Sequence, residues 1–136
     1  MKLSARNQFE GKITKITEGS VNGLVTIDVN GAALTSTISM AAIKELELAE
    51  GKTAIAIIKA TEVMVGVGDL KLSARNKFAG KVSAIEEGAV NDIVKIDTSI
   101  GTVSATISKA AVADLELAVG KDAIAVMKAT SVMTGC

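Results

Sequence analysis

Lys2-Leu3-Ser4-Ala5-Arg6-Asn7 returns 69 residues later as Lys71-Leu72-Ser73-Ala74-Arg75-Asn76. The offset then holds without a gap to the end of the chain. Gly11 matches Gly80, Val21-Asn22 matches Val90-Asn91, and Thr37-Ile38-Ser39 matches Thr106-Ile107-Ser108. Lys59-Ala60-Thr61 likewise matches Lys128-Ala129-Thr130. Self-similarity at a fixed period marks tandem copies of one structural unit. The 136 residues therefore divide into two modules, residues 1–67 and 70–136, although length alone would suit one domain.

A module of this size is marginal alone, because one small core supplies only roughly 3–5 kcal/mol. Disulfides do not support it, since Cys136 is the only cysteine, and with no histidine the ligands of a structural zinc are lacking too. Association between copies and between chains remains. The composition agrees: the chain is 49% hydrophobic but 1% aromatic, with Ala, Val and Ile carrying the apolar content. Such a core lacks large anchors and gains from burial at interfaces. The segment Gly66-Val67-Gly68-Asp69-Leu70 is too short for a flexible tether, so the modules must pack closely or exchange strands.

Within one copy, proline is absent and glycine punctuates. Residues 2–9 read as an extended segment, and after Gly11 residues 12–17 read as a β-branched strand. A turn follows at 18–23. Val25, Ile27 and Val29 then alternate with mostly polar neighbours, the pattern of a half-buried strand. Asn30-Gly31 signals a hairpin, and residues 34–38 return from it. The second copy has Thr98-Ser99-Ile100-Gly101 instead, so its turn chemistry should differ. Ser39 can N-cap a helix beginning at Met40, in a stretch rich in helix formers. Residues 53–61 read as a strand and 63–65 as a short last one. The fold class is all-β with one short helix per repeat: two tandem OB-fold-like five-stranded barrels, with an SH3-like barrel as the alternative.

Charge balances, with 15 basic and 15 acidic residues, so no basic excess favours nucleic acid. An OB-type nucleic-acid binder would also stack bases on aromatic rings, and this chain has two Phe, no Tyr and no Trp. Enzyme machinery is not evident: there is no histidine, no nucleophile elbow and no P-loop. The opening Met1-Lys2-Leu3-Ser4-Ala5-Arg6 has no apolar signal region, and no apolar run approaches a membrane span. The expectation is a soluble, cytoplasmic, non-enzymatic protein.

Two features suggest binding. Ser4-Ala5-Arg6-Asn7 and Ser73-Ala74-Arg75-Asn76 crowd a hydroxyl, a guanidinium, an amide and backbone N–H groups into four residues. That donor density suits a tetrahedral oxyanion; the plainer alternative is a solvated edge strand. Lys59, repeated as Lys128, follows Ala54-Ile55-Ala56-Ile57-Ile58 and falls by period two on the face of Ile55 and Ile57. A lysine there needs a counter-charge, or it ends the strand and reaches water. Ser39 and Ser108 stand where a helix start could help hold an anion, or serve as ordinary caps.

These motifs together, with a Gly-[Ser/Ala]-Val-Asn turn, Thr-Ile-Ser before the helix and a late Lys-Ala, resemble the molbindin (Mop-type molybdate-binding) family in its tandem di-domain form. The resemblance covers nearly the whole chain, in both copies. It implies OB-fold barrels that bind molybdate, and tungstate as well, inside the cell for storage or homeostasis. It implies a homotrimer of two-module chains, with oxyanions at module interfaces and near the three-fold axis. An interface site would take the Ser-Ala-Arg segment of one module, with the hydroxyl before the helix and the late lysine from the facing one. Carried over, the residues are Ser4, Ala5, Arg6 and Asn7 with Ser39 and Lys59, and Ser73, Ala74, Arg75 and Asn76 with Ser108 and Lys128. Ala42 and Ala111 stand where the family has a further hydroxyl, which puts about 1 kcal/mol of affinity in question. The axial candidates are Gly19, Ser20, Val21 and Asn22, and Gly88, Ala89, Val90 and Asn91. Molybdate and tungstate are close in size and should be poorly discriminated, whereas the smaller sulfate should bind less well. Related regulators carry such a pair behind a winged helix-turn-helix domain, which has no counterpart in these residues. A molybdate-sensing module acting through a partner is the alternative function.

Overall fold

A computed structural model describes residues 2–136. The first copy forms β1 (Asn7–Thr17), β2 (Asn22–Val29), β3 (Ala32–Ser39), α1 (Met40–Glu45), β4 (Thr53–Ile58) and β5 (Met64–Gly66). The second repeats the series as β6 (Asn76–Glu87), β7 (Asn91–Thr98), β8 (Gly101–Ser108), α2 (Lys109–Asp114), β9 (Asp122–Met127) and β10 (Met133–Gly135). A 3-10 turn, Ala60–Glu62 or Ala129–Ser131, precedes each last strand. No helix among the described residues is long and apolar enough to cross a membrane.

The sheets do not follow the copies. One runs β10-β4-β1-β2-β3 and the other β5-β9-β6-β7-β8, all pairs antiparallel. Each copy lends its last strand to the other: Thr134 pairs with Ala56, and Val65 with Ala125. Close packing and strand exchange thus occur together. Both lent strands also approach the far edge of their host sheet, β10 near β3 and β5 near β8, which curls each sheet toward an OB-like barrel.

β1 is a single strand where the sequence suggested an extended segment, a glycine break and a second strand. Its first half pairs with β4 and its second half with β2, Lys12 belonging to both ladders. Gly11 sits inside it because a Cβ there would collide with the Asp28 carbonyl; Gly80 meets Asp97 in the same way. The ladder shifts register between Ile13 and Lys15, a bulge that bends the strand, and the second copy shifts equivalently between Val82 and Ala84. β4 is shorter than the apolar run implied. It ends at Ile58, and Lys59 opens the 3-10 turn.

The hairpins differ as the residues suggested. Asn30 and Gly31 both take positive φ, the conformation of a two-residue type I′ turn. In the second copy the positive φ moves to Gly101, and Thr98 holds the turn by donating from Oγ1 to the Gly101 carbonyl at 2.9 Å. Ile100 then turns inward, 2% exposed.

Val25, Ile27 and Leu34 of the first copy are fully buried, as are Val94, Ile96 and Val103 of the second. All belong to one apolar cluster that runs through both copies. The core is therefore shared, which answers the marginality of a single module. Among the described residues, one buried side-chain polar atom, Thr134 Oγ1 in β10, has no hydrogen-bond partner. The matching position in β5 is Val65. Thr134→Val is expected to raise stability by about 1 kcal/mol, because an unsatisfied buried hydroxyl costs that much or more. Thermal unfolding checks this, and an unchanged or lower midpoint would contradict it.

Candidate functional site

Asn7 and Asn76 begin the first strand of each copy, and both are buried. Their amides are engaged. Asn7 Oδ1 accepts from the Ser104 N–H at 2.8 Å while Nδ2 donates to the Ser104 carbonyl at 2.9 Å. Asn76 makes the same pair of bonds with Thr35, both at 2.8 Å. β8 and β3 are edge strands, so each carboxamide plays the part a neighbouring strand's backbone would play. Each amide is buried and engaged through both its nitrogen and its oxygen, so these two asparagines hold the copies together.

That stapling places the preceding residues. Ser4, Ala5 and Arg6 lie with Lys59 along a groove of about 480 Å³. Ile93, Thr106 and Met133 of the other copy complete it. A second groove of about 360 Å³ contains Ser73, Ala74, Arg75 and Lys128 with Thr37 and Met64. Every residue of this second set is the 69-residue counterpart of one in the first. The lent strands supply the two methionines, so neither groove is made by one copy alone.

The structure brings the Ser-Ala-Arg segment together with the late lysine of its own copy, within one chain. Lys59 and Lys128 are exposed, which removes the idea of a lysine on a buried strand face. Among the described residues, the ion pairs involve Lys81, Lys95 and Lys109, and none involves Arg6, Lys59, Arg75 or Lys128. Each groove therefore carries two cationic side chains without a carboxylate partner. Ser39 and Ser108 line neither groove. They cap α1 and α2, accepting from Ala42 N–H at 3.0 Å and Ala111 N–H at 3.1 Å. Besides Ser4 with Thr61 and Ser73 with Thr130, the grooves hold one hydroxyl each from the other copy, Thr106 and Thr37. Period-two parity puts each on the same strand face as the serine two residues on, but nothing local indicates that this face meets the other copy.

The two axial candidate turns differ. Val21 and Val90 are exposed at their tips, and their carbonyls accept from Met40 N–H and Lys109 N–H at 2.8 and 2.9 Å. In the first copy Met40 lies against Gly23 beside a shallow pocket of about 200 Å³ that includes Gly19 and Asn22. In the second, Asp92 replaces Gly23 and Lys109 replaces Met40. Asp92 is 3% exposed and accepts from Lys109 Nζ at 2.8 Å and Gly88 N–H at 3.1 Å. The hydrogen bond from Lys109 holds the Asp92 carboxyl below the usual carboxylate range, and the same bond raises Lys109 above the usual lysine range. A depressed carboxyl stabilises the fold above its unfolded pKa and loses that contribution as pH falls through the lower folded value. Asp92→Ala should therefore lower the melting midpoint clearly at pH 7, and the deficit should shrink below about pH 4. A deficit that stayed constant with pH would assign the loss to packing alone.

Comparison with known proteins agrees with the repeat. The model of the TOBE domain matches twice, at residues 3–65 and 72–134. The "Molybdenum transport protein ModE" of Herbaspirillum seropedicae is 42% identical over 137 residues, 98% of this chain and 51% of that protein. The chain thus spans about half the length of that relative. A "Probable molybdenum-pterin-binding protein" of Haemophilus influenzae is 62% identical over 68 residues, 49% of this chain and 99% of its own. A solved structure of the cytoplasmic molybdate-binding protein ModG, with molybdate bound, aligns with a TM-score of 0.95 and 39% identity, covering 99% of both chains.

Proposed function

The chain belongs to the TOBE domain family, with two copies in tandem, and from that premise we propose that it binds molybdate, and tungstate similarly, for intracellular storage or homeostasis. The observation that carries this reading is the pair of equivalent grooves, each holding an arginine and a lysine without a carboxylate partner. A tetrahedral dianion supplies the missing charge and accepts from guanidinium, ammonium and hydroxyl donors at once. The donors are Ser4, Arg6 and Lys59 with Thr106, and Ser73, Arg75 and Lys128 with Thr37; Ala5 and Ala74 contribute backbone. The assembling units are residues 1–67 and 70–136, each lending its last strand to the other. Exposed Leu3, Leu72, Met64 and Met133 beside the grooves support further association, as a homotrimer in the cytoplasm. In such an assembly Ser39, Ser108 and the exposed turns 19–22 and 88–91 are available to neighbouring chains. With no histidine in the sequence, the reading is a binder rather than a catalyst.

Calorimetric titration with molybdate, tungstate, sulfate and phosphate tests the reading. Molybdate and tungstate should give saturable heat and raise the melting temperature, with sulfate much weaker. No heat and no thermal shift with molybdate would end it. The half-length match to ModE favours a second reading, a molybdate-responsive module within a longer protein. Small-angle scattering with and without molybdate bears on the two, since a molybdate-dependent change of shape favours the sensor.

A further inference from the structure

The grooves match in their lysine, arginine and serine, but the strands beside them do not. A polar pocket of about 280 Å³ adjoins the first groove, sharing Arg6 and Ile93 with it. Its other residues are Glu86, Lys95 and Ser104. The matching positions next to the second groove are Thr17, Thr26 and Thr35, which carry no charge.

Lys95 is placed there by register. It lies opposite Ser104 in the β7–β8 ladder, and Ser104 is the residue that Asn7 staples through its backbone. Arg6 precedes Asn7, so the same contact that joins the copies brings Arg6 into the pocket with Lys95. The Lys95 side chain is 38% exposed, and its recorded ionic contact, Glu86 Oε1 at 3.9 Å, is too long for a hydrogen bond. An ammonium has three donors to place. Here they are partly withdrawn from water, beside the Arg6 guanidinium, which has no carboxylate partner among the described residues. Two neighbouring cations of this kind repel each other until an anion lies between them.

Building on the groove reading above, we propose that Lys95 is a further anion-binding residue of the first groove, and that it makes this groove the tighter of the two for oxyanions. Glu86 acts against it: its carboxylate, 58% exposed, draws Lys95 away and repels the incoming dianion. The internal repeat has thus diverged into a stronger and a weaker site on one scaffold.

The test is calorimetric titration of the full chain with sodium molybdate at low salt, where charge effects are least screened. The wild type should show two classes of groove site. Lys95→Thr, which installs the residue found at position 26, should weaken the tighter class about tenfold, the scale of one charge-assisted hydrogen bond. Thr26→Lys should tighten the weaker class, and Glu86→Gln should tighten the stronger one further. Thr26→Lys also keeps the idea testable if Lys95→Thr folds poorly. Unchanged affinities in both Lys95→Thr and Thr26→Lys, with Arg6→Ala still weakening the first groove, would overturn the role of Lys95 while leaving the grooves as the sites. Absence of molybdate heat in the wild type would instead overturn the groove reading on which this rests.

Discussion

Asn7→Ala is expected to destabilise the chain by about 2–5 kcal/mol, since it leaves two buried backbone groups unpaired at roughly 1–3 kcal/mol each. The substitution removes both bonds to Ser104 and leaves a buried N–H and C=O at the β8 edge with no acceptor and no donor. Asn7 itself is fully buried, so water cannot replace the amide without a cavity opening. Asn76→Ala should cost less, because its partner Thr35 is only half buried and its bonds are partly open to solvent. Chemical unfolding measures both. Asn7→Asp is the informative companion: it keeps the shape and an acceptor for the Ser104 N–H but loses the donor to the Ser104 carbonyl, and it buries a charge. It should be nearly as damaging as alanine. If Asn7→Ala unfolded at the wild-type midpoint, the staple would not be a determinant of the paired fold.

The second large effect concerns binding. Arg6→Ala combined with Lys59→Ala should weaken molybdate binding at the first groove about 100-fold or more, since each removed cation contributes on the order of one charge-assisted hydrogen bond. Arg75→Ala with Lys128→Ala should do the same to the second. The fold should tolerate these changes, with melting midpoints near the wild type, because these side chains are exposed and no ion pair among the described residues engages them. Titration of the two double variants and of the quadruple variant separates the grooves. Loss of half the sites in each double variant, with the assembly mass unchanged, is the expected result. Full binding by the quadruple variant would mean that the oxyanion sits elsewhere.

Much of this was legible in the residues. The repeat fixed the number of modules, and the alternation at Val25, Ile27 and Val29 fixed a core face that is buried as read. Asn30-Gly31 against Thr98-Ser99-Ile100-Gly101 forecast different turns. The donor-rich Ser-Ala-Arg run and the late lysine do line a common groove, but both come from the same copy rather than from facing modules. The asparagine in the same motif did not reveal its task, because a four-residue pattern of donors looks alike whether it faces an anion or an edge strand. Gly11 looked like a break for a similar reason: locally it ends a segment, and only the Asp28 carbonyl against it explains a glycine within a strand.

The sequence by itself determined what period, alternation and turn chemistry can encode: two β-rich copies, their strands, their hairpins and a set of donors. These properties act over a few residues, or repeat visibly at a fixed offset. Tertiary structure alone decided which copy each last strand joins, that Asn7 and Asn76 bind across to Ser104 and Thr35, and that Thr37, Thr106 and the methionines face the other copy's groove. Those pairings join residues far apart in the chain, and near-identical copies offer each strand two near-identical partners. Local preference is equal for both, so the choice lies with the short connection 67–70 and with packing into the core that the two copies share. The duplication that is plain in the sequence therefore proves, in three dimensions, to be one interlocked unit whose two grooves each need both copies.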